Sequence, residues 1–77
     1  MPRLTPQSYQ TLLKIFKADG FTVTRFEGNH YILNKSGVDR PVIIPKYSEI
    51  GFDIIKSNMR TAGMSRNRYF ELLSMVK

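Results

Sequence analysis

Three short β-rich segments in the middle of the chain constrain its fold more than any other feature. They span residues 21–26, 30–34 and 40–44, and each is rich in β-branched or aromatic side chains, as strands are. Only three and five residues separate them. Connections this short allow antiparallel neighbours but no crossover helix, so we expect a three-stranded antiparallel meander. Pro41 lacks an N–H for a sheet ladder, which predicts that the third strand lies at an edge.

A helix is predicted before the strands. Apolar side chains recur there at helical spacing and form one stripe, which consists of Tyr9, Leu12, Leu13 and Phe16. Thr5 is the expected N-cap, and Pro6 then occupies the first helical position, where its missing N–H costs nothing. Gly20 is expected to end the helix as a left-handed residue.

Two more helices are predicted after the strands. The first has an apolar face made by Ile50, Ile54, Ile55 and Met59, and Gly63 is expected to end it. Ser65 is the expected cap of the last helix, whose buried side the spacing assigns to Phe70, Leu73 and Val76. We expect the helices to cover one face of the sheet and to leave the other free. The predicted fold class is therefore α+β, a two-layer α-β-β-β-α domain with a short extra C-terminal helix.

Length and composition narrow the class of protein. A chain of 77 residues allows one domain, over residues 1–77, and the absence of cysteine excludes disulfides and thiolate metal sites. We find no apolar run long enough to cross a membrane and no apolar signal-peptide core near Met1, so we expect a cytoplasmic protein with no membrane partner. Lys and Arg number 12 against 6 Asp and Glu, a net charge of +6, which favours polyanionic partners and nucleic acid above all.

His30 is the only histidine, and it directly follows the tight turn before the second strand. Taken alone, such a histidine is more often structural than catalytic. Other chemistries lack their residues, however. One histidine without cysteines cannot make a zinc site, the six acids are scattered without a metal motif, and no glycine-rich phosphate loop follows a strand. No Ser-His-acid triad is evident either.

One reaction does suit a lone histidine with cationic neighbours. RNA carries its own nucleophile, the 2′-hydroxyl, and a base that removes its proton allows attack on the adjacent phosphorus. Lys and Arg side chains can then stabilise the extra charge on the phosphate oxygens. Histidine suits the task because its ordinary pKa lies near neutral pH. The reaction needs neither a metal ion nor a cofactor.

Several short motifs occur along the chain, namely Leu4-Thr5-Pro6, Gly20-Phe21, Arg25, Gly28-Asn29-His30, Pro45, Glu49-Ile50 and Arg60-Thr61-Ala62-Gly63-Met64-Ser65. In this order and at this spacing, over nearly the whole chain, they resemble the HicA family of mRNA interferase toxins. The resemblance implies a fold like the double-stranded RNA-binding domain, cofactor-independent endoribonuclease activity on mRNA, and a HicB antitoxin that binds over the active site. It also implies that His30 is the catalytic general acid/base, because His30 matches the histidine of the family's Gly-Ser-His motif.

Two positions depart from the family pattern. Asn29 stands where the family has serine, but asparagine also forms hydrogen bonds and favours turns, so we expect the loop to keep its shape. A histidine that often follows the proline of the third strand is absent, because the segment reads Pro45-Lys46-Tyr47. If that histidine assists other members, either Lys46 or Tyr47 replaces it here or the activity is weaker, which leaves the general acid open.

The candidate RNA-binding residues surround the first turn and the end of the third strand: Arg25, Gly28, Asn29, Lys46 and Tyr47. Arg3 and Lys56 are further candidates for phosphate contacts, although every one of these cations also fits a solvated surface. Gly28 equally fits a plain turn. Phe26 and Tyr31 flank the turn and could stack on bases, with core packing as an equal alternative.

Two other functions are compatible with the sequence. One is a non-catalytic RNA-binding module of the same fold, which His30→Ala would leave unchanged, whereas the same substitution would abolish cleavage by a nuclease. The other is a protein-interaction domain whose basic surface meets an acidic partner. Competition between that partner and RNA would separate these two alternatives.

Overall fold

The computed structural model describes residues 4–76 and confirms the predicted order of elements. The elements are α1 (Tyr9–Ala18), β1 (Thr22–Glu27), β2 (His30–Asn34), β3 (Val42–Pro45), α2 (Phe52–Ala62) and α3 (Arg66–Val76). Three helices and an antiparallel sheet make an α+β fold. The last helix was expected to be short, but α3 has 11 residues, as many as α2. Arg3, a candidate phosphate contact, lies outside the described residues.

The sheet is the predicted antiparallel meander, with strand order β1-β2-β3. β3 lies at an edge, as the position of Pro41 predicted. It begins at Val42, two residues later than expected, and extends through Pro45. In the register of β2 and β3, His30 pairs with Pro45. The histidine therefore lies beside the end of the edge strand.

β1 contains a bulge at Thr24, where the register with β2 shifts by one residue. The Thr24 hydroxyl donates a hydrogen bond to the carbonyl of Ile32 over 3.1 Å. Beyond the bulge, Arg25 pairs with Ile32 and Glu27 pairs with His30. The bulge thus decides which β1 side chains lie next to the histidine.

α1 ends at Gly20 in the predicted way, with a φ of 102°. The amide of Gly20 donates to the carbonyl of Lys17 over 3.0 Å, and the amide of Phe21 donates to the carbonyl of Phe16 over 2.9 Å. This pair of bonds is a Schellman motif, and the rings of Phe16 and Phe21 pack edge to face at 5.6 Å beside it. Because the helix uses the N–H of Phe21, β1 begins one residue later than predicted, at Thr22.

The predicted N-cap of α1 is wrong. The cap is Ser8, whose hydroxyl accepts a hydrogen bond from the Thr11 amide over 3.2 Å, and not Thr5. The reason is tertiary. Gln7 forms an antiparallel bridge with Ile50, with N···O distances of 3.1 and 2.7 Å, and this bridge keeps the chain extended up to Ser8. Pro6 therefore precedes the helix and does not begin it.

The core lies between the sheet and the three helices, which confirms that one face of the sheet is covered. Its fully buried side chains include Leu33 and Ile44 from the sheet. α3 contributes Tyr69 and Leu72, which replace the predicted buried side of Phe70, Leu73 and Val76; those three are only half-buried. The caps predicted for this region are confirmed, since Gly63 follows α2 with a φ of 67° and the Ser65 hydroxyl accepts from the Arg68 amide over 3.0 Å.

Candidate functional site

The tight turn between β1 and β2 consists of Gly28 and Asn29. Their φ angles are 54° and 63°, so both central residues adopt positive φ, which is the pattern of a type I′ hairpin turn. Asn29 is the only residue other than glycine with positive φ among residues 4–76. Asparagine tolerates this conformation better than most side chains, which explains how the turn forms without serine at this position.

The first side chain after the turn is His30, which is half-buried. Its Nδ1 lies 2.7 Å from the carbonyl oxygen of Gly28. A carbonyl oxygen can only accept, so Nδ1 must carry the hydrogen in the neutral imidazole. The basic lone pair is then on Nε2, the nitrogen that this contact leaves free. The turn therefore determines both the orientation and the tautomer of the ring.

The chain after β3 folds against the same turn. The amide of Lys46 donates to the carbonyl of Asn29 over 2.8 Å, and the amide of Tyr47 donates to the carbonyl of Pro45, also over 2.8 Å. These bonds continue the pairing of His30 with Pro45 past the end of the strand. Lys46 and Tyr47, which are far from His30 in sequence, are thereby brought to the same end of the sheet.

The two aromatic residues near the turn have different environments. Tyr31 stacks on Tyr9 with a centroid distance of 5.7 Å and is partly buried against the core. Phe26 contacts the Tyr31 ring at 4.7 Å but remains 48% exposed. The ammonium of Lys46 lies 5.8 Å from the centre of the Phe26 ring. Tyr31 is thus a packing residue, and Phe26 is the one of the two that could meet a ligand.

The predicted cations do not all gather at this end of the sheet. Arg25 lies on β1 two residues before the end of the strand and forms an exposed ion pair with Glu27, with an N···O distance of 3.6 Å. Lys56 lies on α2 and lines a separate groove with Met59 and Met64. The structure therefore places Arg25 and Lys46 near the turn of His30, and it places Lys56 elsewhere.

An open groove of about 430 Å³ begins at His30 and runs between β3 and α2. His30, Pro45 and Tyr47 lie at one end of it, and Tyr47 is 50% exposed. The rest of the lining is Pro41, Ile43, Asp53, Ile54, Ser57, Asn58 and Thr61. Within residues 4–76, no three His, Cys, Asp or Glu side chains lie close enough together to hold a metal ion.

The contribution of α2 to this groove was not predicted from the sequence. A signal was present, because Asn58 interrupts the apolar stripe of the helix, lying four residues after Ile54 and three after Ile55. Asn58 is only 6% exposed, and its Nδ2 has no hydrogen-bond partner among the described residues. Buried polar side chains usually have a hydrogen-bond partner, so Asn58 on an apolar helix face is the signal that could have pointed to this groove.

Fold and site define a small basic α+β protein with a histidine on a tight hairpin at the mouth of a groove. A family model described as the HicA toxin of bacterial toxin-antitoxin matches residues 9–64, and the chain belongs to this family. It is therefore a toxin of the toxin–antitoxin type, and membership implies an antitoxin partner. No curated protein sequence and no solved structure gives a significant match. No helix within residues 4–76 is both long and apolar enough to span a membrane.

Proposed function

We propose that this toxin is an endoribonuclease that cleaves mRNA without a metal ion, with His30 as its general base. The observation that carries the proposal is the contact between His30 Nδ1 and the Gly28 carbonyl. In the neutral ring it places the basic lone pair on Nε2, at the end of an open groove, and this is the lone pair that a general base uses.

The cleavage step uses the 2′-hydroxyl of the RNA as nucleophile. Nε2 of His30 takes the hydroxyl proton while the oxygen forms a bond to the adjacent phosphorus. The bond from phosphorus to the 5′-oxygen of the next nucleotide breaks, and that oxygen takes a proton from a general acid. The products are a 2′,3′-cyclic phosphate and a free 5′-hydroxyl, so atoms and charge balance without a co-reactant.

The remaining roles follow from position. The Tyr47 side chain lines the same groove as His30, whereas the Lys46 ammonium lies over the Phe26 ring. We therefore assign proton donation to the leaving oxygen to the Tyr47 hydroxyl. Lys46 and Arg25 supply positive charge for the phosphate backbone, and Gly28 and Asn29 hold the turn close to it.

The decisive experiment compares two substitutions of His30. His30→Ala removes the whole imidazole. His30→Asn removes Nε2 but keeps an N–H near the position of Nδ1, so it can still donate to the Gly28 carbonyl. We expect both variants to fold and to bind RNA, and both to cleave about 10²–10⁴-fold more slowly than wild type, which is the usual contribution of a general base.

Two further arms of this experiment test the nucleophile and the metal independence. Cleavage is expected to persist in EDTA and to stop when the scissile nucleotide carries 2′-deoxyribose. Loss of activity in EDTA, or an alanine variant that cleaves at the wild-type rate, would refute the mechanism. RNA binding without any cleavage by wild type would favour the non-catalytic RNA-binding module.

The antitoxin that family membership implies is, in this proposal, an acidic HicB-type protein that covers the groove. An open catalytic face on a protein of net charge +6 favours an acidic inhibitor. Co-expression of the protein encoded next to the toxin gene is expected to relieve growth arrest and to yield a stable complex in which RNA cleavage is blocked. If the protein encoded next to the toxin gene binds the toxin but leaves RNA cleavage intact, it does not bind over the active site.

A further inference from the structure

The groove between β3 and α2 extends well beyond His30. Its strand wall runs from Pro45, beside the histidine, back to Pro41, and its helix wall runs from Asp53 to Thr61. The four residue-to-residue steps of the strand wall span about 13 Å and the eight steps of the helix wall span about 12 Å, so the two walls have similar lengths. A volume of about 430 Å³ lies within the range of small-molecule sites. The groove therefore has room for a ligand next to the proposed reacting bond.

The two walls differ in chemistry. The strand wall is apolar and consists of two prolines and Ile43, whose side chain is 45% exposed. The helix wall is largely polar, because its residues repeat at intervals of about one turn and so share one side of α2: Asp53, Ser57, Asn58 and Thr61. A ligand in this groove meets apolar surface on one side and hydrogen-bonding groups on the other.

Asn58 is the buried member of the helix wall. Its Nδ2 is shielded from water and has no hydrogen-bond partner within residues 4–76. Such a group keeps its desolvation penalty without compensation, which buried amides in folded proteins usually avoid. Asn58 also lines the groove, so a turn of its side chain toward a bound ligand would let an acceptor atom of that ligand remove this penalty.

We propose that the groove is a nucleobase-binding subsite for the nucleotide next to the scissile bond, and that Asn58 and Ser57 set the base preference of cleavage; this rests on the proposed ribonuclease function. A base is planar and apolar on its faces but polar along its edge. Ile43 and the prolines contact one face, while the side chains of α2 contact the edge. The continuity of the groove with His30 favours RNA over a peptide as the occupant. Among the described residues no Lys or Arg lines the groove and Asp53 is its one carboxylate, so the positive charge that attracts the phosphates lies outside it.

The test measures cleavage of four RNAs that differ only in the base next to the scissile bond. Wild type is expected to discriminate between the best and the worst base by about tenfold or more. Asn58→Leu keeps the size of the side chain and removes the unpaired amide, so the variant should fold at least as stably as wild type. It is expected to cleave all four RNAs within about threefold of one another.

Two variants accompany this one. Ser57→Ala alters an exposed residue of the same wall and should also change the preference, so the proposal remains testable if Asn58→Leu does not fold. Asn67→Leu makes the same chemical change at an exposed position of α3 that is not part of the groove, and it should leave the preference unchanged. An unchanged preference in both groove variants would overturn the subsite.

A titration with the four nucleoside monophosphates separates this proposal from the proposed catalysis. Binding in the groove should shift the NMR signals of the Asn58 side-chain amide and the Ile43 methyl groups, more for one base than for the others. Such shifts without RNA cleavage would support the subsite and refute the nuclease. RNA cleavage without NMR shifts and without a base preference would support the nuclease and refute the subsite. Groove variants that cleave normally but lose only the antitoxin would identify the groove as a protein interface and overturn the RNA assignment.

Discussion

At the scale of the residue, the orientation of the His30 imidazole depends on one backbone carbonyl. The Gly28 oxygen accepts from Nδ1 over 2.7 Å, and it can do so because the type I′ turn points it back at the ring. In many enzymes a carboxylate serves to orient a histidine, but here the chain's own turn does so. The turn thus fixes the position of the His30 ring, and substitutions of nearby side chains can test their roles without moving it.

A first prediction separates the roles of Tyr47 and Lys46. Tyr47→Phe keeps the ring but removes the hydroxyl, so we expect kcat to fall by about 10²-fold with little change in KM, as for loss of a general acid. Lys46→Gln removes a charge beside the site and should mainly raise KM. Steady-state cleavage of one defined RNA measures both. If Lys46→Gln lowered kcat and Tyr47→Phe did not, the acid would be Lys46.

A second prediction concerns Tyr69, which is fully buried and whose hydroxyl has no partner among the described residues. Burial raises the pKa of Tyr69 above its ordinary value of 10.0 because the phenolate would lose its hydration. The unfolded chain therefore ionises first. The stability that this tyrosine contributes is complete below pH 10.0 and is lost as the pH rises through the higher folded pKa.

Tyr69→Phe should consequently be as stable as wild type at neutral pH, or more stable by up to about 1 kcal/mol, because it removes an unsatisfied hydroxyl. Above pH 10.0 it should lose less stability than wild type. Urea unfolding at neutral pH and above pH 10.0 measures the free energy of unfolding of each variant, with Tyr47→Phe as the control at an exposed tyrosine. A variant that followed the wild-type curve at alkaline pH would show that Tyr69 does not cause the loss.

At the scale of the element, the β1–β2 hairpin carries the candidate site. Its turn needs positive φ at two successive residues, and only one of them is glycine. The amide of Lys46 then donates to the Asn29 carbonyl and joins the end of β3 to the turn. A change in the turn should therefore act on stability and on the geometry of the site together.

The third prediction follows from this backbone. Asn29→Val places a β-branched side chain at a φ of 63° and should cost about 1–3 kcal/mol in the free energy of unfolding. Asn29→Gly should be close to wild type, because glycine adopts the same angle freely. Chemical denaturation and RNA cleavage are measured in parallel. Equal stability of the two variants would mean that the turn can change its type without cost.

At the scale of the whole molecule, net charge is the property most directly tied to the proposed function. A net charge of +6 on 77 residues favours polyanionic partners, and if RNA is the substrate, as proposed, part of its affinity should come from the counterions that it releases. Not every cation is available for this. Arg68 forms ion pairs with Asp19 at 3.1 Å and with Glu71 at 2.6 Å. Its hydrogen bonds to these acids raise the pKa of Arg68, and the bond to Glu71 has the larger effect.

The fourth prediction is a salt dependence. The logarithm of RNA affinity should fall linearly with the logarithm of salt concentration, by about 0.7 for each phosphate that is neutralised on a single strand. Lys46→Gln should lower that slope by about one such unit. Lys14→Gln, an equal loss of charge at an exposed position of α1, should lower it less. Affinity that ignored salt would remove the electrostatic argument altogether.

Much of the fold could be predicted because its signals are local. The hairpin lengths, the glycines that end α1 and α2, and Ser65 as a cap each act through a few neighbouring residues. The N-cap of α1 could not be predicted in this way. Thr5 and Ser8 are both good caps by type, and the choice depends on the bridge between Gln7 and Ile50, which are 43 positions apart in the sequence.

The features of the candidate site likewise fall into those that depend on local sequence and those that depend on long-range contacts. The sequence by itself determined the hairpin, the position of its one histidine and the excess of positive charge, because each depends on residue type and near neighbours. Only the tertiary structure decided that Tyr47 and the polar side of α2 line the same groove as His30, and that the Nδ2 of Asn58 is buried there without a partner among residues 4–76. Those contacts join segments that meet only when β3 pairs with β2 and α2 packs beside β3, so no local pattern contains them.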